Sequence, residues 1–226
     1  LPELQFPAQY NASSMLDEIV AQGLARNAAV ITEEGVFTYA RLLGAVNRIA
    51  RLLKSSETYF APGNRVLIHA RNSLWSLAAW WAVIRLGGVA VATMPMLRAT
   101  ELSVIIDKAQ ITHAIVDEAL WGEVEAAGRA SLVLQEILSL GEARESTADF
   151  PYDILPAVET AADHPALIAF TSGTTGKPKG CVHFHRDIAA MAHTFSRHVL
   201  QPKPADVFIG TPPLAFTFGL GGLLCF

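Results

Sequence analysis

The densest set of groups able to hold an anion lies between Thr171 and Gly180, in the order Thr-Ser-Gly-Thr-Thr-Gly-Lys-Pro-Lys-Gly. Four hydroxyls (Thr171, Ser172, Thr174, Thr175), three glycines (Gly173, Gly176, Gly180) and two lysines (Lys177, Lys179) stand together with no acid among them. Glycines let successive backbone N–H groups turn toward one point, hydroxyls add short donors, and lysines add charge. These are the groups that the oxygens of a triphosphate require. The string is not a Walker A loop, which wants four residues between its glycines and Ser or Thr after the Lys. Here Thr174 and Thr175 alone separate Gly173 from Gly176, and Pro178 follows Lys177. Proline drives the residue before it toward extended geometry and withholds one N–H, so the loop cannot run straight into a helix. The apolar run Ala166–Phe170 immediately before it reads as a buried strand, and open α/β sheets place ligands beyond the carboxyl ends of such strands. A Gly/Ser/Thr linker is the plain alternative; two lysines around a proline, directly after a buried strand, argue against it.

Other residue types with chemical potential are weaker signals. Phe216, Thr217, Phe218 and Gly219 lie in a Pro-Pro-Leu-Ala-Phe-Thr-Phe-Gly run. On spacing alone, the two phenylalanines read as core residues of a strand-to-helix turn. His183 and His185 alternate and are expected on opposite sides of an extended segment, with no further metal ligands nearby. His183 reads as a structural histidine, Cys181 as a small packed residue without a base partner, and Arg98 as a solvated arginine.

The string from Thr171 to Gly180 resembles the signature loop of the adenylate-forming superfamily, which includes acyl- and aryl-CoA synthetases, peptide-synthetase adenylation domains and luciferases. Arg85–Val91 through Pro95 to Glu101-Leu102 is similar to the family's stretch before that loop, and Val182–Arg186 to its continuation. Pro212–Gly221 resembles the acid-binding segment of the benzoate-type CoA ligases. Met94-Pro95-Met96-Leu97-Arg98 is most similar to 2-aminobenzoate–CoA ligases. The resemblance implies ATP-dependent activation of an aromatic carboxylate to an acyl adenylate, then transfer to coenzyme A. It assigns Thr171, Ser172, Gly173, Thr174, Thr175, Gly176, Lys177 and Lys179 to the phosphates. Mg²⁺ would share that work, with Thr171 as the metal candidate through the phosphates. It assigns Phe216, Thr217, Phe218 and Gly219 to a flat slot for the aromatic acid, the glycine opening room for the ring, and places His185 near it. The family pattern continues past Phe226, where its main catalytic lysine is expected, so a partial N-terminal adenylation domain without its C-terminal domain, inactive alone, is implied. Competing readings are an enzyme that loads a carrier-protein thiol and a non-catalytic nucleotide-binding module.

The elements that must position these groups follow from periodicity. Continuous apolar strands are expected at Arg65–Ala70, Val89–Thr93, His113–Asp117, Ser131–Leu134, Ala166–Phe170 and Val207–Thr211. Helices are expected at Leu74–Leu86 (capped by Asn72 or Ser73), at Thr100–Lys108 (capped by Thr100), at Glu118–Ala127 and at Asp187–Val199. Before them come a helix opened by a Ser14…Asp17 capping box, a hairpin at Val30–Thr38 and a long amphipathic helix capped by Thr38. Such alternation predicts an α/β fold with a largely parallel sheet flanked by helices. Residues 1–153 would form a first α/β subdomain, and 154–226 the loop and the start of a second, with a polar, acidic connection at Gly141–Asp153. Half of the 226 residues are hydrophobic (51%) and the net charge is −4. There is thus core enough for a globular domain and no basic field for nucleic acid. Cys181 and Cys225 lack metal-ligand spacing and fit a reduced, cytoplasmic protein. The apolar Leu74–Leu86 run is too short to span a membrane. A start without Met and an end inside an apolar run suggest a truncated chain.

Overall fold

A computed structural model describes residues 4–55, 58–145, 155–171, 178–203 and 205–225. Helix α1 (Ser14–Ile19) opens the ordered core and continues through wider turns to Leu24, broken at Gly23, whose φ of 82° is left-handed. The expected capping box does not form. The Asp17 carboxylate instead pairs with the guanidinium of Arg85 at 2.8 Å, and Ser13, not Ser14, is the cap position. Strands β1 (Ala28–Thr32) and β2 (Gly35–Thr38) make the predicted antiparallel hairpin. Thr38 then caps helix α2 (Tyr39–Ser55), its hydroxyl accepting the Arg41 N–H at 3.2 Å. The apolar stripe Leu42, Leu43, Val46, Ile49, Ala50 and Leu53 is buried as its spacing requires.

Among the described residues the main sheet has six strands, β3 (Arg65–His69), β4 (Val89–Thr93), β5 (Ile111–Val116), β6 (Glu136–Ser139), β7 (Pro165–Thr171) and β8 (Lys179–Phe184), in the order β6-β5-β3-β4-β7-β8. Strand β3 (Arg65–His69) lies between β4 (Val89–Thr93) and β5 (Ile111–Val116), both parallel to it. Helix α3 (Leu74–Arg85) connects β3 to β4 and is buried along its whole length, in keeping with a sequence that is apolar but for Ser76 and the terminal Arg85. Ser73 and Ser76 close a reciprocal capping box at its start, and Gly87 at φ 73° ends it. Helix α4 (Ala99–Ala109) begins one residue earlier than expected. Glu101 and Glu123 accept the N–H groups of Arg98 and Ala99 at 3.0 and 2.9 Å, so carboxylates, not the Thr100 hydroxyl, satisfy its first turn. Arg98 pairs with Glu123 at 3.0 Å. A tight turn at Glu118–Leu120 precedes α5 (Trp121–Arg129).

Two strand expectations fail. Residues 131–134 form a turn because the Ser131 hydroxyl takes the N–H groups of Val133 and Leu134, leaving Leu132 exposed. The parallel edge strand is β6 (Glu136–Ser139), followed by α6 (Leu140–Glu145) inside the expected surface connection; residues 146–153 lie outside the described residues. Val207–Thr211 forms no strand, and Val207 and Ile209 are exposed. Strand propensity without a neighbour to pair leaves a chain extended at most.

Strand β7 (Pro165–Thr171) joins β4 in parallel and pairs antiparallel with β8 (Lys179–Phe184). Helix α7 (His185–Met191) follows, starting two residues earlier than expected because Asp187 accepts the Phe184 N–H at 2.9 Å, and wider turns carry it to Leu200. A short helix, α8, covers Thr217–Leu220. No helix among the described residues is long and apolar enough to cross a membrane.

Candidate functional site

Three strands, β3, β4 and β7, run in one direction and end side by side, at His69, Thr93 and Thr171. This carboxyl edge is where a parallel sheet leaves room for a ligand. From it the chain reverses: Thr171 and Lys179 are cross-strand partners, so residues 172–178 form the connection between two paired strand ends. Ser172, Gly173, Thr174, Thr175, Gly176 and Lys177 lie outside the described residues. Thr171 and Lys179 at the mouth are both exposed. Gly180 is required one step inside, because a Cβ there would stand 2.9 Å from the Ile168 side chain. From α4, the Lys108 ammonium donates to the Pro178 carbonyl at 2.5 Å and ties the returning end of the connection to the helix layer.

The Pro-Pro-Leu-Ala-Phe segment reaches the same edge. Asn72, just past β3, accepts the Leu214 N–H at 2.9 Å and donates to the Pro212 carbonyl at 3.4 Å. Leu214, Ala215 and Leu220 pack over Trp80 and Ala92, and Thr217 lies beside Ala169 of β7. Phe216 is the extended residue before α8, and its N–H bonds the Pro213 carbonyl at 3.0 Å. The two phenylalanines are not core residues: Phe216 is 45% and Phe218 79% exposed. Gly219 is buried, and a Cβ would fall 2.3 Å from the Pro213 carbonyl oxygen, so backbone contact dictates this glycine.

His185 is not with them. Phe184 pairs with Pro165, at the start of β7, which puts His185 at the opposite end of the hairpin from Lys179, roughly 17 Å away at ~3.3 Å per strand residue. It is the first residue of a helix, not part of an extended segment. Its Nδ1 accepts the Ala12 N–H at 3.1 Å, while Nε2 is buried without a partner among the described residues. Burial, reinforced by His164, pushes its pKa down to about 4. Cys181 is exposed on β8 rather than packed. Asn72 read only as a helix cap and Lys108 only as the last residue of a helix, because their partners here lie 142 and 70 residues away. The buried pair His69 Nδ1 and Thr93 Oγ1, 2.9 Å apart beneath the edge, escaped it for the same reason. Burial lowers the His69 pKa against the opposing pull of Glu123.

A family model described as AMP-binding enzyme matches residues 17–226. The chain belongs to the AMP-binding enzyme family. This AMP-binding chain is 30% identical over 240 residues to the 3-hydroxybenzoate–CoA/4-hydroxybenzoate–CoA ligase of Thauera aromatica, covering 99% of the chain and 45% of that protein. It is 25% identical over 230 residues to the benzoate–CoA ligase of the same organism, covering 100% of the chain and 44% of the relative. Its fold is similar to that of the anthranilate CoA ligase AuaEII in complex with anthranoyl-AMP, with a TM-score of 0.86 at 24% identity over 96% of this chain and 42% of that one. The AMP-binding chain thus spans less than half the length of these relatives. The expected family and the largely parallel, helix-flanked α/β fold both hold.

Proposed function

We propose that the protein activates an aromatic carboxylate, of the benzoate or 2-aminobenzoate type, with ATP and passes the acyl group to coenzyme A. The observation that carries the proposal is the Thr171–Lys179 strand pair. It brings Thr171 and Lys179, which bracket the sequence of hydroxyls, glycines and lysines, together at the carboxyl edge of the sheet, and the nearby segment carries two exposed phenyl rings. A carboxylate oxygen attacks the α-phosphorus and pyrophosphate leaves; the thiol sulfur then attacks the acyl carbon, AMP leaves, and the thiol proton is lost. Thr171, Ser172, Thr174, Thr175, Lys177 and Lys179 neutralise charge gathering on the departing pyrophosphate, and the amides of Gly173 and Gly176 add donors. Among the described residues no group of three or more His, Cys, Asp or Glu could hold a metal ion. The Thr171 hydroxyl, exposed at the end of β7, would be this chain's contribution to a magnesium ion shared with the phosphate oxygens, which would help neutralise their charge.

Phe216 and Phe218 supply faces for an aromatic ring, with Thr217 between them and Gly219 holding the backbone of the turn. The hydroxybenzoate– and benzoate–CoA ligases among the relatives support an aromatic acid. The anthranilate ligase fold and the Met94–Arg98 resemblance support the 2-amino form. A carrier-protein thiol as acceptor is the second reading, supported by the 34% identity over 161 residues to nonribosomal peptide synthetase 8 of Aspergillus fumigatus.

The test is acid-dependent exchange of pyrophosphate into ATP by the full-length protein, with benzoate, 2-aminobenzoate, hydroxybenzoates and a medium-chain fatty acid. Aromatic acids should lead, and replacing Lys177 and Lys179 together by Ala should slow exchange about 100-fold. Preference for the fatty acid breaks the aromatic assignment, and unchanged exchange in the lysine variant breaks the phosphate assignment. The 226-residue chain alone should form no aryl-CoA.

A further inference from the structure

We infer that Asn72 is a positioning residue for the acid-binding segment, through which the end of β3 fixes where Phe216 and Phe218 stand; this rests on the aromatic-acid reading of that segment. Asn72 is itself held on both sides. Strand β3 ends three residues before it, and Ser73 immediately after it is locked in extended backbone by the reciprocal bonds with Ser76 at 3.1 and 2.9 Å. Its side-chain amide meets the segment as a second peptide unit would, accepting from Leu214 and donating to the Pro212 carbonyl.

The partner sequence makes this contact specific. Pro212 and Pro213 carry no N–H, so Leu214 has the first backbone donor after the two prolines, and that donor is given to Asn72. From Leu214 the constraint passes along a short rigid path. The Phe216 N–H bonds the Pro213 carbonyl, the Leu220 N–H bonds the Phe216 carbonyl at 2.8 Å, and Gly219 is pressed against the Pro213 carbonyl. A shift at 212–214 therefore moves both phenyl rings. The underside of the segment, Leu214 and Leu220 over Trp80 and Ala92, is apolar contact without direction and cannot set the register alone. Asn72 supplies the direction.

The experiment compares wild type, Asn72→Ala and Asn72→Asp in the full-length protein by acid-dependent pyrophosphate exchange, with whichever acid wild type uses best. Asn72→Ala should raise KM for the acid about tenfold while KM for ATP stays within about twofold and kcat within about threefold. Asn72→Asp keeps an acceptor for Leu214 and should recover to about threefold above wild type. Amide hydrogen exchange adds a readout independent of turnover: in Asn72→Ala the Leu214 amide should exchange about fivefold faster, with β3 and β4 amides unchanged. Unchanged acid KM in Asn72→Ala, or equal rises in KM for acid and ATP, overturns the inference and leaves the ligase reading standing. Loss of β3 and β4 protection together with Leu214 also overturns it, because Asn72 would then serve the fold as a whole. Absence of exchange by wild type with every acid overturns the ligase reading and this inference with it.

Discussion

The two ends of the sheet use polar residues in opposite ways. At the amino end Asn11, Arg85 and His185 are buried, and each gives hydrogen bonds to or takes them from the fold. Asn11 donates to the carbonyls of Ile84 and Val158 at 2.9 Å, Arg85 holds Asp17 and the Leu155 carbonyl, and His185 takes the Ala12 N–H. At the carboxyl end His69 and Thr93 pair with each other beneath the edge, and above them Thr171 and Lys179 are exposed beside the exposed rings of Phe216 and Phe218. A buried polar group must be satisfied by the protein, whereas an exposed one keeps its capacity for a ligand. The β7–β8 pair makes the point: His185, singled out by residue type, is buried just past one end, and Thr171 and Lys179 stand exposed at the other.

The contrast breaks first at Arg85. Arg85→Ala should cost about 3–5 kcal/mol of stability, because a buried cation is removed from Asp17 and from a carbonyl it satisfies. Urea unfolding measures it, and pairing Arg85→Met with Asp17→Leu should recover most of the loss. A cost below about 1 kcal/mol would erase the distinction between the two ends.

Acid sharpens the same comparison. Folded His185 titrates near 4 against an ordinary 6.5, so above pH 6.5 it is neutral in both states and contributes no difference. As pH falls from 6.5 toward 4 the unfolded chain takes the proton first, and stability should fall by up to about 3 kcal/mol. His69 and His113, also held low by burial, steepen the same limb. Urea midpoints at several pH values read this directly, and a His185→Gln variant should flatten the fall.

The smallest effect belongs to the exposed end. Lys108→Met removes the tie to the Pro178 carbonyl and should raise KM for ATP about threefold, with stability changed by less than about 0.5 kcal/mol. A loss of stability with unchanged KM would move Lys108 to the structural group.

Much of this was legible before any coordinates. Alternating apolar strands and helices define the sheet core, and the Leu74–Ile84 run, apolar but for Ser76, matches a helix buried on every face. The hydroxyl, glycine and lysine string stands out because so many anion-holding groups rarely adjoin without an acid. What local pattern could not supply was partnership. Ser131 turned an apolar run into a bend, and Val207–Thr211 had strand propensity but no paired neighbour. Asp17 was drawn from its helix cap by an arginine 68 residues away. Asn72 reads locally as a helix cap, and its role depends on a turn 142 residues later.

Gly219 carries a practical lesson for redesign. Its missing side chain is demanded by the carbonyls of Pro212 and Pro213, at 2.8 and 2.3 Å from any Cβ. Under the proposed aromatic-acid reading, libraries meant to broaden the range of acids should leave codon 219 alone and diversify 218, the more exposed of the two rings.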